Sequence, residues 1–479
     1  MGKLKEFTDK VWYGTGAIGL DLSYGMFNSK LSKYLTDVLG LKTNFLLWLT
    51  PIARIWDGVN DPMMGSIVDN TNTRFGRYRP WVVIGAGMNA LILFFLFFNP
   101  GFNTKTPGVG LYVYIAVMYV LWGMTNTTAD IPYWSMVPSF TTDPGERSIL
   151  ATVARTFSGL GQGVVLILYP YLLNAFGDRV PAADGSVTHI WTERSYMLCA
   201  LISAAALVFF ALLSMTHVQE NRAVAPGEKF SFKKIFSVIR HNDQLRVFML
   251  FAMLSNAGFY TTSGVVDYYF AAVEGNAAGQ SMFNAFGAGG SILGLAVVPV
   301  MMKFTTRRRT YQFSLLLELI GYVLMAVFGS VTHVPMLMNL CYLVVQIGSA
   351  SMFVSQTVFL ADVVDYGEVS MGKRAESVTF SMKGFLQKMA YTVQTIILFS
   401  ALGLAHYNDC KPDASGVIVY SAQVKTAVKA VMFLVPPVCI LLSLIVFSTR
   451  FKLHGSFMED ITRQVNEAKE QRMKEQATE

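Results

Sequence analysis

Residues 44–67 read NFLLWLTPIARIWDGVNDPMMGSI, apolar enough over most of their length to cross a bilayer, yet they carry Arg54, Asp57, Asn60 and Asp61. A charge at the bilayer centre costs roughly 2.5–3.5 kcal/mol even on the lenient insertion scale, so these groups require partners, water or a ligand. On a helix Asp57 and Asp61, four apart, share a face with Asn60 beside them. Two carboxylates in a low-dielectric site repel, and one of them tends to hold a proton. A small cation between them removes the conflict, and hard cations favour carboxylate, amide and hydroxyl oxygens, the only donors this patch offers. The spacing therefore reads as a coupling site for Na⁺ or H⁺, with Asp57 and Asp61 as the ligands if the ion is sodium. The competing reading pairs the carboxylates with Arg54 or a lysine.

A second constellation lies in TNTTADIPYWSMVP. Thr127, Asp130 and Trp134 fall at i, i+3 and i+7 on one helical face, and Pro132 removes a helix hydrogen bond between them. A carboxylate one turn from an indole suits a sugar, whose hydroxyls the carboxylate bridges while the ring stacks on the apolar face. A tryptophan in such a span can equally be an interfacial anchor. Further charges stand alone in apolar runs: Asp21 in GAIGLDLSYG, Arg155 in ILATVARTFSG, and Lys383 and Lys388 in FSMKGFLQKMAYT. Intramembrane charges of this sort face a cavity or each other. The six histidines lie at loops or span ends, with no nucleophile–base or metal-ligand spacing among them, which argues against an enzyme.

These residues need elements to hold them. Of 479 residues 53% are hydrophobic and 14% charged, and the mean hydropathy is +0.43. That charge content is far below the roughly 25% of soluble proteins, so the surface faces lipid. Four scattered cysteines make no disulfide framework. Stretches of about 20 apolar residues predict twelve spans, near 11–36, 44–67, 80–100, 109–138, 148–175, 195–215, 244–272, 280–302, 311–331, 335–361, 377–405 and 427–449. With the N-terminus inside, Lys and Arg crowd the cytoplasmic segments, while the opposite loops hold only Lys42, Lys105, Arg179, Arg194 and Lys411. By the positive-inside rule both termini are cytoplasmic, and the net charge of +7 calls for no nucleic acid.

The polar stretch between spans six and seven divides the chain into a six-helix bundle over 1–215, a central loop over 216–243, a second bundle over 244–450 and a cytoplasmic tail over 451–479. Within the loop, KFSFKKIFSVIRH sets Phe232, Ile235, Phe236 and Ile239 on one face, which suits either an interfacial helix or a plain linker. Two six-span halves joined by a basic loop form the pattern of the major facilitator fold. GSIVDNTNTRFGRYRP, with Gly65, Asp69, Arg74, Gly76 and Arg77, is similar to that superfamily's signature between helices two and three, with the Asp-to-Arg spacing stretched. The expected architecture is thus an all-α, multi-pass membrane protein of a bacterial inner membrane.

The ordered set YGTGAIGLDLSYG, YLTDVLGL, ARIWDGVNDPMMG, GRYRPW, DIPYWSMVP and FLADVVDYGE, running from about residue 10 to 450, resembles the glycoside–pentoside–hexuronide:cation symporters, the melibiose-permease family. The resemblance implies that Asp57, Asn60, Asp61 and Thr127 bind the coupling cation. It also implies that Asp21, Asp130, Trp134, Arg155 and Lys388 contact the sugar. Three positions depart from the melibiose pattern: Phe353 replaces a tryptophan, Lys383 a glutamine and Leu20 a lysine. Lys383 suits an acidic sugar or serves as a partner for the Asp pair, and a galactoside preference is not inherited. Asp69, Arg74 and Arg77, together with Asp362, Asp365 and Arg374, are expected as latches of an inner gate.

The function so implied is secondary active uptake of a sugar coupled to Na⁺ or H⁺ by alternating access, with a sugar, a monovalent cation and the lipid bilayer as partners and no cofactor. A lysolipid carrier of the same fold is the first rival, disfavoured by the paired carboxylates Asp21 and Asp130. A sugar sensor that does not transport is the second.

Overall fold

The computed structural model describes residues 2–137, 140, 144–181, 187–218, 232–275, 277–331, 334–371, 376–411 and 418–478. It is helical nearly throughout, as the long apolar runs require. In chain order the helices are α1 Gly2–Gly25, α2 Leu31–Lys33, α3 Thr43–Asp69, α4 Arg79–Leu96, α5 Val109–Ser135, α6 Pro144–Phe176, α7 Glu193–His217 and α8 Phe232–His241. They continue with α9 Asp243–Tyr269, α10 Ala277–Phe304, α11 Arg307–Ala326, α12 Pro335–Met371, α13 Glu376–Leu404, α14 Ala422–Phe433, α15 Val435–Arg450 and α16 Gly455–Thr478. Wide, π-type turns at Met26–Lys30 and Tyr34–Val38 carry α1 through α2 without a break in the rod. One feature unforeseen in an all-α reading is a short antiparallel hairpin, β1 Asp178–Pro181 with β2 Val187–Ile190, in the connection between α6 and α7.

Eight helical stretches among the described residues are long and apolar enough to cross a membrane: α4, α5, α7 and α12, residues 149–176, 279–304 and 307–329, and the stretch spanning α14 and α15. The long helices α1, α3, α9 and α13 fall outside that criterion. They carry polar and charged groups: Asp21 on α1, Arg54, Asp57 and Asp61 on α3, Asp267 on α9, and Lys383 and Lys388 on α13. Their polarity points inward. On α3 Arg54, Asp57 and Asn60 are buried while Trp48, Ile52 and Ile55 are exposed, the inverse of a water-soluble helix and the arrangement a bilayer demands.

The chain forms two compact units. The first comprises Met1–Lys229 with Val266–Met282 and Leu398–Val428. The second comprises Phe230–Val265, Phe283–Ile397 and Lys429–Glu479. In the first unit helices cross at backbone contact. A Cβ on Gly161 of α6 would lie 2.5 Å from the Ile18 carbonyl oxygen of α1, and one on Gly85 of α4 would lie 2.5 Å from the Ala129 nitrogen of α5. Membrane helices use such small residues to approach closely. The first crossing sets α6 on α1 and the second sets α4 on α5, fixing the helices that carry the polar residues described next.

Arg307, Arg308 and Arg309, expected in a loop after the eighth span, form the first turn of α11, where the Thr306 side chain accepts from the Arg309 amide. Two of the three have structural partners in the second unit. Arg307 pairs with Asp362 at 2.9 Å, and Arg308 donates to the Ser448 carbonyl at 2.7 Å and contacts the His454 ring. The latter contact holds the chain where α15 passes toward α16.

Candidate functional site

The residues singled out on α3, α5, α1 and α6 converge inside the first unit. The Thr127 hydroxyl of α5 donates to the Asp61 carboxylate of α3 at 2.9 Å. One turn away, Arg54 Nη1 meets Asp57 at 3.1 Å while Nη2 donates to Asn28 at 3.1 Å. Gly123 on α5 makes room for Asp57: a Cβ there would stand 3.0 Å from Asp57 Oδ1. Asn60 is buried, and its Nδ2 has no hydrogen-bond partner among the described residues. The carboxylates, the amide and the hydroxyl thus line one α3–α5 seam, with Arg54 held between Asp57 and α1.

The sequence left open whether the carboxylates answer to a small cation or to Arg54. Asp57 does meet Arg54, while Asp61 meets a hydroxyl. Among the described residues no cluster of three His, Cys, Asp or Glu forms, so any ion here would be held by mixed oxygen donors. Such a donor set suits a hard monovalent cation better than a transition metal.

Deeper along α5 the Trp134 indole N–H donates to Asp130 at 3.0 Å. The Arg155 guanidinium of α6 lies 3.9 Å from the Trp134 ring centroid, a close cation–π stack. Asp21 of α1 accepts from Ser158 of α6, within electrostatic reach of Asp130 and Arg155. Below them Tyr13 and Tyr133 stack at 4.6 Å and exchange hydroxyl-to-carbonyl bonds, Tyr13 to the Tyr133 carbonyl at 2.5 Å and Tyr133 to the Tyr13 carbonyl at 2.7 Å. Burying two phenols is tolerable here because both protons are used. A sugar could exchange its hydroxyls for the Trp134 and Ser158 bonds to the carboxylates without leaving either charge bare.

The remaining candidates lie in the second unit. Phe353 packs edge-on against Phe259 with centroids 5.1 Å apart. Lys383 donates to Thr357 at 2.5 Å. Lys388 is half-buried on the same helix, one turn and a residue further on. Of the expected latches, Asp362 is buried and paired with Arg307, a pairing the sequence did not indicate. Arg74 stacks on its neighbour Phe75, and Arg77 and Asp365 are half-buried with interactions of their own. Arg374 lies outside the described residues, as does the side chain of Asp69.

Sequence reasoning also missed a charged cluster at the far end of the α1 rod. Lys30, fully buried, meets both oxygens of Asp267 at 2.9 and 3.0 Å, and Gln280 donates to the same carboxylate. Beside it Lys33 pairs with Asp37 at 2.5 Å. Asp37 also accepts from Tyr420 at 3.1 Å, from Thr36 at 2.9 Å and from Tyr407. Burial comes first in pushing the Tyr420 phenol up to about 12, with the Asp37 charge adding to it. All these residues belong to the first unit, and the cluster joins the α1 rod to the segments 266–282 and 398–428. A signal was present in the sequence at Asp267, which interrupts an otherwise apolar run, whereas Lys30 lies among polar neighbours.

Fold and pocket together define a membrane carrier. Residues 12–455 match the family described as MFS/sugar transport protein, and the chain belongs to that family. It is an integral, multi-pass membrane transporter of the major facilitator type rather than an enzyme. The chain is 24% identical over 474 residues to the symporter YjmB of Bacillus subtilis (strain 168), covering 96% of each chain. It is 26% identical over 473 residues to the raffinose carrier protein of Pediococcus pentosaceus, covering 94% of this chain and 71% of that one. Among solved structures the nucleoside transporter NupG superposes with a TM-score of 0.64 at 12% identity, covering 93% of this chain and 99% of that one. The last likeness supports the fold alone.

Proposed function

We propose that the protein takes up a sugar together with Na⁺ or H⁺ across a bacterial inner membrane, by alternating access. The observation that carries this reading is the adjacency, within one unit, of the Asp57/Asp61/Thr127 seam and the Asp21/Asp130/Trp134/Arg155 pocket on shared helices. Relatives named as a symporter and as a raffinose carrier support it.

The coupling has a physical route. Asp61 is held from α5 through Thr127, and α5 also carries Asp130 about one turn on and Trp134 about two turns on. An ion that neutralises the α3 carboxylates fixes α5 against α3 and with it the rotamers of the sugar-facing pair. By reciprocity, bound sugar raises ion affinity equally. Arg54 acts as a tethered competitor for Asp57: a mobile cation enters as the guanidinium swings toward Asn28, so the pair is never left doubly charged and bare. The seam's oxygens could serve a Na⁺ or, through one shared proton, H⁺.

The test is uptake by purified protein in sealed vesicles, over a panel of labelled glycosides, pentosides and hexuronides, under an imposed Na⁺ gradient, an imposed H⁺ gradient or neither. Accumulation above equilibrium under one gradient identifies ion and substrate class. Equilibration without gradient-driven accumulation for every sugar refutes the symport reading.

A further inference from the structure

Glu318 lies in LLLELIG on α11, eleven residues past Arg307. At 1.5 Å per residue that is about 16 Å along the helix axis, near the midplane of a hydrocarbon core about 30 Å thick. Its side chain is fully buried. One carboxyl oxygen lies 2.8 Å from the Ser349 hydroxyl of α12, and the other has no hydrogen-bond partner among the described residues. Among the described residues no lysine, arginine or histidine pairs with it. The titratable groups facing it are phenols, Tyr311 and Tyr322 from α11 and Tyr342 from α12, with the Cys439 thiol of α15 beside Tyr322. Tyr322 shares a hydrogen bond with the Thr262 hydroxyl at 2.8 Å, and Tyr342 accepts from Gln346 Nε2 at 2.7 Å.

The Ser349 hydroxyl decides the protonation state. Its oxygen is also 3.0 Å from the Val345 carbonyl, an acceptor that can only receive. A serine has one proton, so it cannot fully serve both Val345 and an ionised Glu318. Both contacts are satisfied when the carboxyl brings its own proton: Glu318 donates to Ser349, and Ser349 donates to Val345. The orphaned second oxygen is then the carbonyl of a neutral acid, far cheaper to bury than half a carboxylate. Gly348 lets the helices meet so closely that a Cβ there would lie 2.9 Å from that of Glu318 and 2.7 Å from the Ser314 carbonyl oxygen.

We propose that Glu318 is a proton-binding site in the second unit, loaded at neutral pH and separate from the α3 carboxylates. The proton is a structural ligand of the α11–α12 contact, carried by the chain whatever ion the first unit binds. This inference does not rest on the symport reading.

The test is infrared spectroscopy of the full-length protein in lipid vesicles at pH 7, comparing wild type with Glu318→Gln and Ser349→Ala. Gln matches a protonated Glu in shape and keeps a donor toward Ser349. The expected result is a protonated-carboxyl C=O band that loses one residue's intensity in E318Q and changes frequency in S349A. An E318Q spectrum that keeps the band, or that loses ionised-carboxylate intensity instead, overturns the proposal. Should E318Q fail to fold, the S349A spectrum decides alone: an unmoved band refutes it. Because the readout is spectroscopic, failure of sugar uptake leaves the result intact.

Discussion

Replacing Lys30 by Met strikes the most deeply buried ion pair outside the candidate site. The side chain of Lys30 is 0% exposed and that of Asp267 4%, joined at 2.9 Å. Removing one partner of a buried pair leaves an uncompensated charge and costs about 3–5 kcal/mol, whereas replacing both with apolar groups is often neutral. Gln280 still donates to Asp267 in K30M, so the cost falls toward the lower end, about 3 kcal/mol. In Asp267→Leu the lysine keeps no such second partner, and about 5 kcal/mol is expected unless it sheds its proton. The double variant K30M/D267L is expected within about 1 kcal/mol of wild type, because both burial penalties vanish together. Thermal and denaturant unfolding of the four purified proteins in one detergent, assembled as a double-mutant cycle, measures the coupling. If K30M and D267L are each as stable as wild type, or if the double loses the sum of the singles, the pair is not coupled and the reasoning fails.

Three other outcomes follow from the geometry. Thr127→Ala removes the hydroxyl that donates to Asp61; a hydrogen bond to a charged group contributes about 1.5–3 kcal/mol, so the ion concentration for half-maximal uptake should rise about 10- to 100-fold, read in the vesicle assay. Gly85→Ala forces a Cβ to within 2.5 Å of the Ala129 nitrogen, and the overpacking should cost about 1–3 kcal/mol, seen as a lowered unfolding midpoint with α5-dependent uptake impaired. His454 sits below its ordinary value, chiefly through partial burial and then through the Arg308 charge. The folded state therefore holds fewer protons than the unfolded one below that value, so stability is present above pH 6.5 and is lost as pH falls. Limited proteolysis of α16 should quicken between pH 7 and pH 5 in wild type and lose that dependence in His454→Gln.

The residues legible in the sequence were those whose polarity clashed with their surroundings in clusters. Asp57, Asn60 and Asp61 announced a seam because three hard donors share one face, and Asp130 with Trp134 because a carboxylate and an indole lie one turn apart. Lone groups escaped notice. Asp267 and Glu318 each sit singly in an apolar run, Lys30 lies among polar neighbours from Asn28 to Lys33, and nothing local indicates that Lys30 meets a residue 237 positions later. The arginines at 307–309 were read as a loop from charge alone, although Thr306 supplies an N-cap and the helix that follows needs one. The β1–β2 hairpin was hidden because its strands are four residues each and leave no periodic signal. Arg54 illustrates the limit at the site itself: pairing of the carboxylates with Arg54 or a lysine was only the competing reading, and its second hold on Asn28 is tertiary.

The two wide turns in the α1 rod have a consequence for how the chain tolerates insertion and deletion. A π-type turn contains one residue more than the α-helical turn it replaces, and one residue is about 100° of rotation. Met26–Lys30 and Tyr34–Val38 therefore set the phase of everything beyond them, including Lys30 and Lys33. A single-residue deletion at Asn28 would mend the first turn into ordinary helix and leave the rod unbroken. Because an ordinary turn completes the same rotation with one residue fewer, Lys33 and Asp37 would keep their direction toward Tyr407 and Tyr420. The same deletion in ordinary helix would swing everything beyond it by about 100°, so the wide turns mark where the rod tolerates loss of a residue without losing the buried charge cluster.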